Sequence, residues 1–254
     1  MARTVLVTGA AGGIGRATVA YLQSTGAYVL EADIRGVPIC CDLADPEARV
    51  ELIRTLQSSV GSLDAVIAAA GMLDGAPAAV VAANFFGATR LLEGLRPVLA
   101  KSASPRALVM SSISSRYPCD EAVIEACLDD DESAAQRLVG ASSFSAYATS
   151  KAALARWVRR QAVTPEWGGA GILLNAVAPG TIADTGMTRP ILDAAGGAEL
   201  LQQKVPSAIG RFGTPDDMAR LNAFLAGPDN RYIVGQVIFA DGGCDALQRG
   251  DAVW

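Results

Sequence analysis

The feature that most restricts the fold is the alternation of short β-branched or apolar runs with longer stretches of helical periodicity. Thr4 to Val7, Ala27 to Glu31, Ala65 to Ala69, Ala107 to Ser111, Ile172 to Val177 and Val237 to Phe239 read as strands. Between them, Ile14 to Ser24, Pro46 to Gln57, Val80 to Leu99, Ala146 to Ala162 and Pro215 to Ala226 read as helices with one apolar stripe. Strands alternating with helices predict an α/β fold, a doubly wound parallel sheet with helices on both faces. No proline-rich or Ser/Gly-rich linker and no internal repeat divides the chain, so residues 1–254 are expected to form one domain.

What chemistry such a domain can perform is limited first by what it lacks. The 254 residues include no histidine, which excludes Ser-His-Asp and Cys-His nucleophiles, histidine-ligated zinc and histidine general bases. Acid–base work falls to Tyr, Lys, Asp, Glu or Cys, and no metal site is expected. A formal charge of -5 and a pI near 4.8 give no basic field for a nucleic acid or an anionic membrane. Five cysteines, Cys40, Cys41, Cys119, Cys127 and Cys244, form no C-x-x-C pair and suit a reducing, cytoplasmic setting. Mean hydropathy is +0.30, yet the longest apolar run, Ala65 to Leu73, stops at Asp74, short of the roughly 18 residues of a membrane span. The residues around Arg3 lack the apolar length of a secretory signal, so a soluble protein is expected.

Thr8-Gly9-Ala10-Ala11-Gly12-Gly13-Ile14-Gly15 follows the first strand and opens the first helix. Such a turn tolerates positive φ and brings bare backbone close to a ligand, while the helix start offers unpaired N–H groups and a positive dipole end. Phosphate binding is the expectation. Asp33 ends the second strand about twenty residues after Gly13, the distance at which a carboxylate bonds both hydroxyls of an adenosine ribose. It would repel a 2′-phosphate, and neither Gly12 nor Ile34 supplies a cation, leaving only Arg35 nearby. NAD(H) is therefore expected rather than NADP. Asp42 and Leu43, after a short third strand, are candidate adenine contacts, although an acid at a strand end is as often a turn or capping residue.

Tyr147-Ala148-Thr149-Ser150-Lys151 stands at a helix start, where positions four apart share a face. Ser111-Ser112 ends an inner strand, Asn84 lies in a predicted helix, and Asn175-Ala-Val-Ala-Pro179-Gly180 ends another strand at the same end of the sheet. Together with the glycine turn, Ala69-Ala70-Gly71, Asn84-Phe-Phe-Gly87 and Ser111-Ser-Ile-Ser114, these motifs resemble the short-chain dehydrogenase/reductase family over residues 3–245. The resemblance implies a single Rossmann-like domain that transfers hydride between NAD(P) and an alcohol or ketone, often as a homodimer or homotetramer. It also implies roles: Tyr147 as general acid/base, Lys151 binding the nicotinamide ribose and lowering the tyrosine pKa, Ser112 orienting the substrate oxygen, and Asn84 holding a water that links Lys151 to solvent. Gly9, Gly12, Gly13, Ile14, Gly15, Asp33, Ile34, Asp42, Leu43, Ala70, Gly71, Pro179, Gly180, Thr181 and Ile182 are the further expected cofactor contacts. The carboxamide threonine is either Thr181 or Thr185.

Two departures from the family pattern stand out. Ala68-Ala69-Ala70-Gly71 replaces the usual N-N-A-G and loses an asparagine. The interval from Ser112 to Tyr147 is unusually long, because about residues 117–142 insert an acidic segment containing Asp120, Glu121, Glu125, Asp129, Asp130, Asp131 and Glu132. It reads as a solvated helix pair, or as a lid or oligomer-interface element beside the helix that relatives use to dimerise. This insertion, with Ala32 to Gly36, Asn84 to Thr89, Gly210 to Ala219 and Asp241-Gly-Gly243, resembles bacterial family members that interconvert 3α-hydroxysteroids and 3-ketosteroids and reduce other carbonyl compounds. Dehydrogenation of terpenoid, aryl or smaller secondary alcohols is the alternative within the class. Outside it stand an NADH-binding regulator and an epimerase or lyase, the latter needing a further substrate domain. Specificity is expected to lie between about Thr181 and Pro206, where Ile182, Met187, Ile191 and Leu192 either line a pocket or simply pack.

Overall fold

The computed structural model describes residues 2–252. In chain order the elements are β1 (Thr4–Thr8), α1 (Gly13–Ser24), β2 (Tyr28–Asp33), β3 (Ile39–Cys40), α2 (Pro46–Ser59), β4 (Ala65–Ala68), α3 (Pro77–Val81), α4 (Gly87–Leu99) and β5 (Arg106–Met110). There follow α5 (Glu121–Leu128), α6 (Glu132–Leu138), α7 (Ser143–Gln161), β6 (Leu173–Pro179), α8 (Arg189–Leu192), α9 (Gly197–Lys204), α10 (Pro215–Ala226), β7 (Val237–Ala240) and α11 (Cys244–Arg249). The seven strands form one parallel sheet in the order β3-β2-β1-β4-β5-β6-β7. The doubly wound architecture read from the alternation is the architecture observed.

The central strands β1, β4, β5 and β6 are buried on both faces of the sheet, and successive side chains enter opposite cores. In β1, Val5 and Val7 join Val19 and Leu22 of α1 and Met218 and Leu225 of α10 in one core. Leu6, between them, faces the other core, built from Phe85, Phe86, Leu91 and Leu95 around α4 and from Trp157 and Val158 of α7. Chain direction across the sheet reverses after β3, since β4 returns to the far side of β1. Loops leaving β1 and β4 consequently diverge at their carboxyl ends, the place where such sheets form a crevice.

Local chemistry fixes the element ends that shape this crevice. Ser142 caps α7 by accepting from Ser145 N–H, and Thr214 and Asp217 form a reciprocal capping box on α10. The predicted helix from Val80 to Leu99 is interrupted: α3 passes into a π-turn over Ala82–Phe86 before α4 begins. The inserted residue of such a turn re-aims side chains, and π-turns concentrate at functional sites. This one contains Asn84, fully buried.

The acidic stretch does form a helix pair, α5 and α6, with Asp120 and Asp131 as their N-caps. It is not simply solvated. Val123, Ile124 and Cys127 of α5 and Ala135 of α6 are buried in the larger core, and the pair packs against α7, α3 and the π-turn. Asp120 N–H also donates to Thr149 Oγ1 on α7. The charge run masked an apolar stripe on its other side.

Candidate active site

A cleft of about 560 Å³ opens at the carboxyl end of the sheet. At one end the glycine turn supplies Gly9, Gly12, Gly13, Ile14 and Gly15, and Asp33, Ile34 and Arg35 follow from the end of β2. Gly9 sits at φ +70, and a Cβ there would lie 2.7 Å from Ala70 N. A Cβ on Gly15 would strike the Gly9 carbonyl. The turn thus has room for backbone alone, which keeps its N–H groups accessible at the start of α1. Asp33 holds the turn in place, its carboxylate accepting from Ala11 N–H at 2.9 Å and Ile34 N–H at 2.6 Å. Since a carboxylate has about four acceptor positions, capacity remains for ribose hydroxyls. Beside it, a smaller hollow is lined by Ile34, Cys41, Asp42, Leu43 and Leu52. A phosphate cradle, a ribose acceptor and an apolar hollow in succession fit a dinucleotide.

At the other end, β5 and α7 bring Ser112, Tyr147 and Lys151 to the same cleft, opposite Pro179 and Gly180 from the end of β6. Lys151 Nζ lies 5.7 Å from the Tyr147 ring centroid and donates to the Met110 carbonyl at 2.7 Å. Ser111 Oγ donates to the Lys151 carbonyl at 2.9 Å, which staples α7 to the end of β5. Burial lowers the Lys151 pKa from its ordinary 10.5 to about 8. Burial also raises that of Tyr147, and the hydrogen bond with Ser112 works against the rise. In the protein alone, desolvation therefore outweighs the phenolate stabilisation expected from Lys151.

Asn84 is not a wall of this cleft. Its Oδ1 accepts from Met72 N–H at 2.8 Å, while Nδ2 donates to the Met72 carbonyl at 2.9 Å and to Ser150 Oγ at 3.2 Å. It braces the loop after β4 beside Lys151: a Cβ on Gly71 would sit 3.1 Å from Asn84 Oδ1 and 3.2 Å from Lys151 Nζ. Ala70 and Gly71 line the cleft, and Ala70 N–H donates to Thr8 Oγ1 at 3.2 Å.

Of the two candidate threonines, Thr185 lines the cleft, and Thr181 is buried outside it with its carbonyl accepting from Gly213 N–H. Thr188, which sequence reasoning missed, pairs with Thr185 through their hydroxyls at 2.9 Å and donates to the Ile182 carbonyl at 2.6 Å. Ile182 and Met187 reach the cleft; Ile191 and Leu192, on α8, do not line it. Met72, Leu73, Asp74 and Met110 also line it, positions whose residue types carry no motif. Among the described residues no His/Cys/Asp/Glu group is disposed to hold a metal ion, and no helix is long and apolar enough to cross a membrane.

Family comparison supports what the geometry suggests. A profile described as short chain dehydrogenase matches residues 3–124, and one described as enoyl-(acyl carrier protein) reductase matches residues 132–245. The chain is 33% identical to the 3-alpha-hydroxysteroid dehydrogenase/carbonyl reductase of Comamonas testosteroni, covering 96% of this chain and 97% of that protein. It belongs to the short-chain dehydrogenase/reductase family. A cyclohexanol dehydrogenase of Rhodococcus sp. is 28% identical, with 95% of each chain covered. The crystal structure of the 3-alpha-hydroxysteroid dehydrogenase from Pseudomonas sp. B-0831 complexed with NADH superposes with a TM-score of 0.89 at 34% identity, covering 98% of this chain and 99% of that one. This family member is accordingly an oxidoreductase built to take a nicotinamide cofactor.

Proposed function

We propose that the protein is an NAD(H)-dependent dehydrogenase that interconverts a 3α-hydroxysteroid and its 3-ketosteroid, with carbonyl reductase activity on other bulky ketones. The observation that carries this reading is the convergence of Ser112, Tyr147 and Lys151 on one cleft whose far end presents Asp33. The steroid assignment draws on the Comamonas and Pseudomonas relatives and on the insertion before Tyr147. For NAD(H), the support is the carboxylate of Asp33 where a 2′-phosphate would lie, together with the NADH held by the Pseudomonas relative.

When bound, the nicotinamide supplies the hydride acceptor or donor and, in its oxidised form, a positive charge that favours phenolate. In the oxidative direction Tyr147 takes the hydroxyl proton as the carbinol carbon gives up hydride. In reduction the phenol returns that proton, and Ser112 donates a hydrogen bond to the developing alkoxide, stabilising charge where it forms. Lys151, held by Met110, meets the ribose; Asn84 keeps Gly71 and Met72 in place beside it. Gly9, Gly12, Gly13 and Gly15 hold the pyrophosphate, Asp33 the adenosine ribose, and Leu43 the adenine. A homodimer or homotetramer belongs to the reading, formed away from the part of α7 that α5 covers.

The test is nicotinamide absorbance with purified protein, NAD or NADP, and a panel of a 3α-hydroxysteroid, cyclohexanol and an aryl secondary alcohol. NADH formation with the steroid is expected. Turnover of cyclohexanol alone would replace the steroid by an alicyclic alcohol, in keeping with the Rhodococcus relative, and absence of turnover with every alcohol despite tight NADH binding would replace the enzyme by an NADH-binding regulator.

A further inference from the structure

One deeply buried ion lies outside this chemistry. Arg49, on α2, has 2% of its side chain exposed, and a guanidinium is seldom that deep without a counterion. The counterion comes from the insertion. Glu132, at the start of α6, accepts from Arg49 Nη2 through both carboxylate oxygens, at 2.9 and 2.7 Å. The same Oε2 accepts from Arg90 Nη1 of α4 at 2.9 Å, and Asp130 Oδ1 accepts from Arg90 Nε at 3.0 Å. One carboxylate therefore ties α2 to α4.

Beside these two helices, which pack on each other, lies the smaller hollow of the cleft, bordered by Leu52 of α2 and by Leu43. Leu43 abuts α4, since a Cβ on Gly87 would be 2.9 Å from both the Leu43 Cβ and its carbonyl oxygen. Arg90 is one helical turn beyond Gly87. On the other side, the Cys41 thiol donates to the Ala48 carbonyl of α2 at 3.4 Å. Leu52, one turn beyond Arg49, lines the hollow with Cys41, Asp42 and Leu43.

We propose that Glu132 is a positioning residue for the adenine end of the cofactor site, holding Arg49 and Arg90 on one carboxylate and thereby setting the spacing of α2 and α4 around Leu43. The inference rests on the dinucleotide reading above and assigns the inserted helices a task in it. Without the carboxylate, Arg49 loses its ion-pair partner while Arg90 keeps only Asp130, and hydration of Arg49, together with its repulsion from Arg90, loosens α2 from α4. The hollow for the adenine widens; the nicotinamide end, built on β5, β6 and α7, keeps its shape.

Calorimetric titration of the full chain with NADH, AMP and nicotinamide mononucleotide separates the two ends. Glu132→Ala is expected to weaken NADH and AMP about tenfold and leave the mononucleotide unchanged. Arg90→Gln, a change at a partly exposed side chain that leaves the buried Arg49–Glu132 pair intact, is expected to fold normally and to give a smaller loss for NADH and AMP with the mononucleotide again unchanged; it decides the matter if Glu132→Ala does not fold. Parent-like AMP affinity in the folded variants, or equal losses for AMP and the mononucleotide, would overturn the proposal. A parent chain that binds neither NADH nor AMP would instead overturn the cofactor reading, and this inference with it.

Discussion

Replacing Lys151 by methionine should change how stability depends on pH in a calculable way. Lys151 is 3% exposed, and burial lowers its pKa from 10.5 to about 8. The unfolded chain holds this proton more tightly than the folded chain, so folding below about pH 8 carries the full penalty of burying the ammonium, about 3 kcal/mol. Between about pH 8 and 10.5 the unfolded state binds more protons, so stability rises with pH through that window; above it the penalty vanishes. From about pH 7 to 9.5 the native chain should gain roughly 2 kcal/mol relative to Lys151→Met, which has no proton to lose there. Urea unfolding of both chains at the two pH values measures the difference, with all other titrations common to both. Methionine also loses the bond to the Met110 carbonyl, an offset common to both pH values, because any change in that bond on deprotonation is already contained in the pKa shift. Parallel stability profiles for the two chains would refute the claim that Lys151 is held in a desolvating site.

Two further substitutions test the chemistry. Tyr147→Phe removes the proton carrier and little else, so kcat should fall by about 10²- to 10⁴-fold while the Kd for NADH, from fluorescence titration, stays as it was; substantial residual turnover would sink the mechanism. Asp33→Ala deletes a charged acceptor of about 1.5–3 kcal/mol per bond, roughly ten- to hundredfold in Kd for NADH, and NADPH should lose far less. An unchanged ratio of the two affinities would show that Asp33 does not meet the ribose.

Much of the fold and the cleft was legible because it depends on local pattern. The strand cores are runs such as Val5-Leu6-Val7, whose residues enter opposite faces of the sheet, and the turn after β1 needs glycine for reasons of backbone space that one sequence displays. Less visible were contributions made by main chain. Met110 acts on Lys151 through its carbonyl and Met72 engages Asn84 through its amide and carbonyl, so the side chain at either position signals nothing. The π-turn at Ala82–Phe86 was likewise hidden, since its residues continue a helical apolar pattern and only the ladder of hydrogen bonds slips. Thr185 and Thr188 were hard to separate from Thr181, because a loop without periodicity gives no rule for which hydroxyl turns inward.

The insertion shows the same limit with a functional consequence. Charge along a segment predicts solvation only when each charge has water as its best partner, and in α6 that condition fails at one residue. Glu132 is 11% exposed, whereas Asp129 and Asp130 beside it are exposed. Its partner Arg49 lies on a helix far earlier in the chain, and neither residue by itself looks unusual. Arg49 in α2 even occupies the apolar stripe with Leu52 and Leu56, a position where a cation would normally break the pattern. That irregularity was the available sign: a charged residue on a core-facing stripe requires a counterion from another element. The α5–α6 pair is thus bound to α2 and α4 by a buried ion pair and its neighbour and to α7 by apolar packing. Because the two attachments reach opposite ends of the cleft, excising residues 117–142 would strand Arg49 and uncover α7 together, so the insertion behaves as part of the domain core and not as a detachable surface ornament.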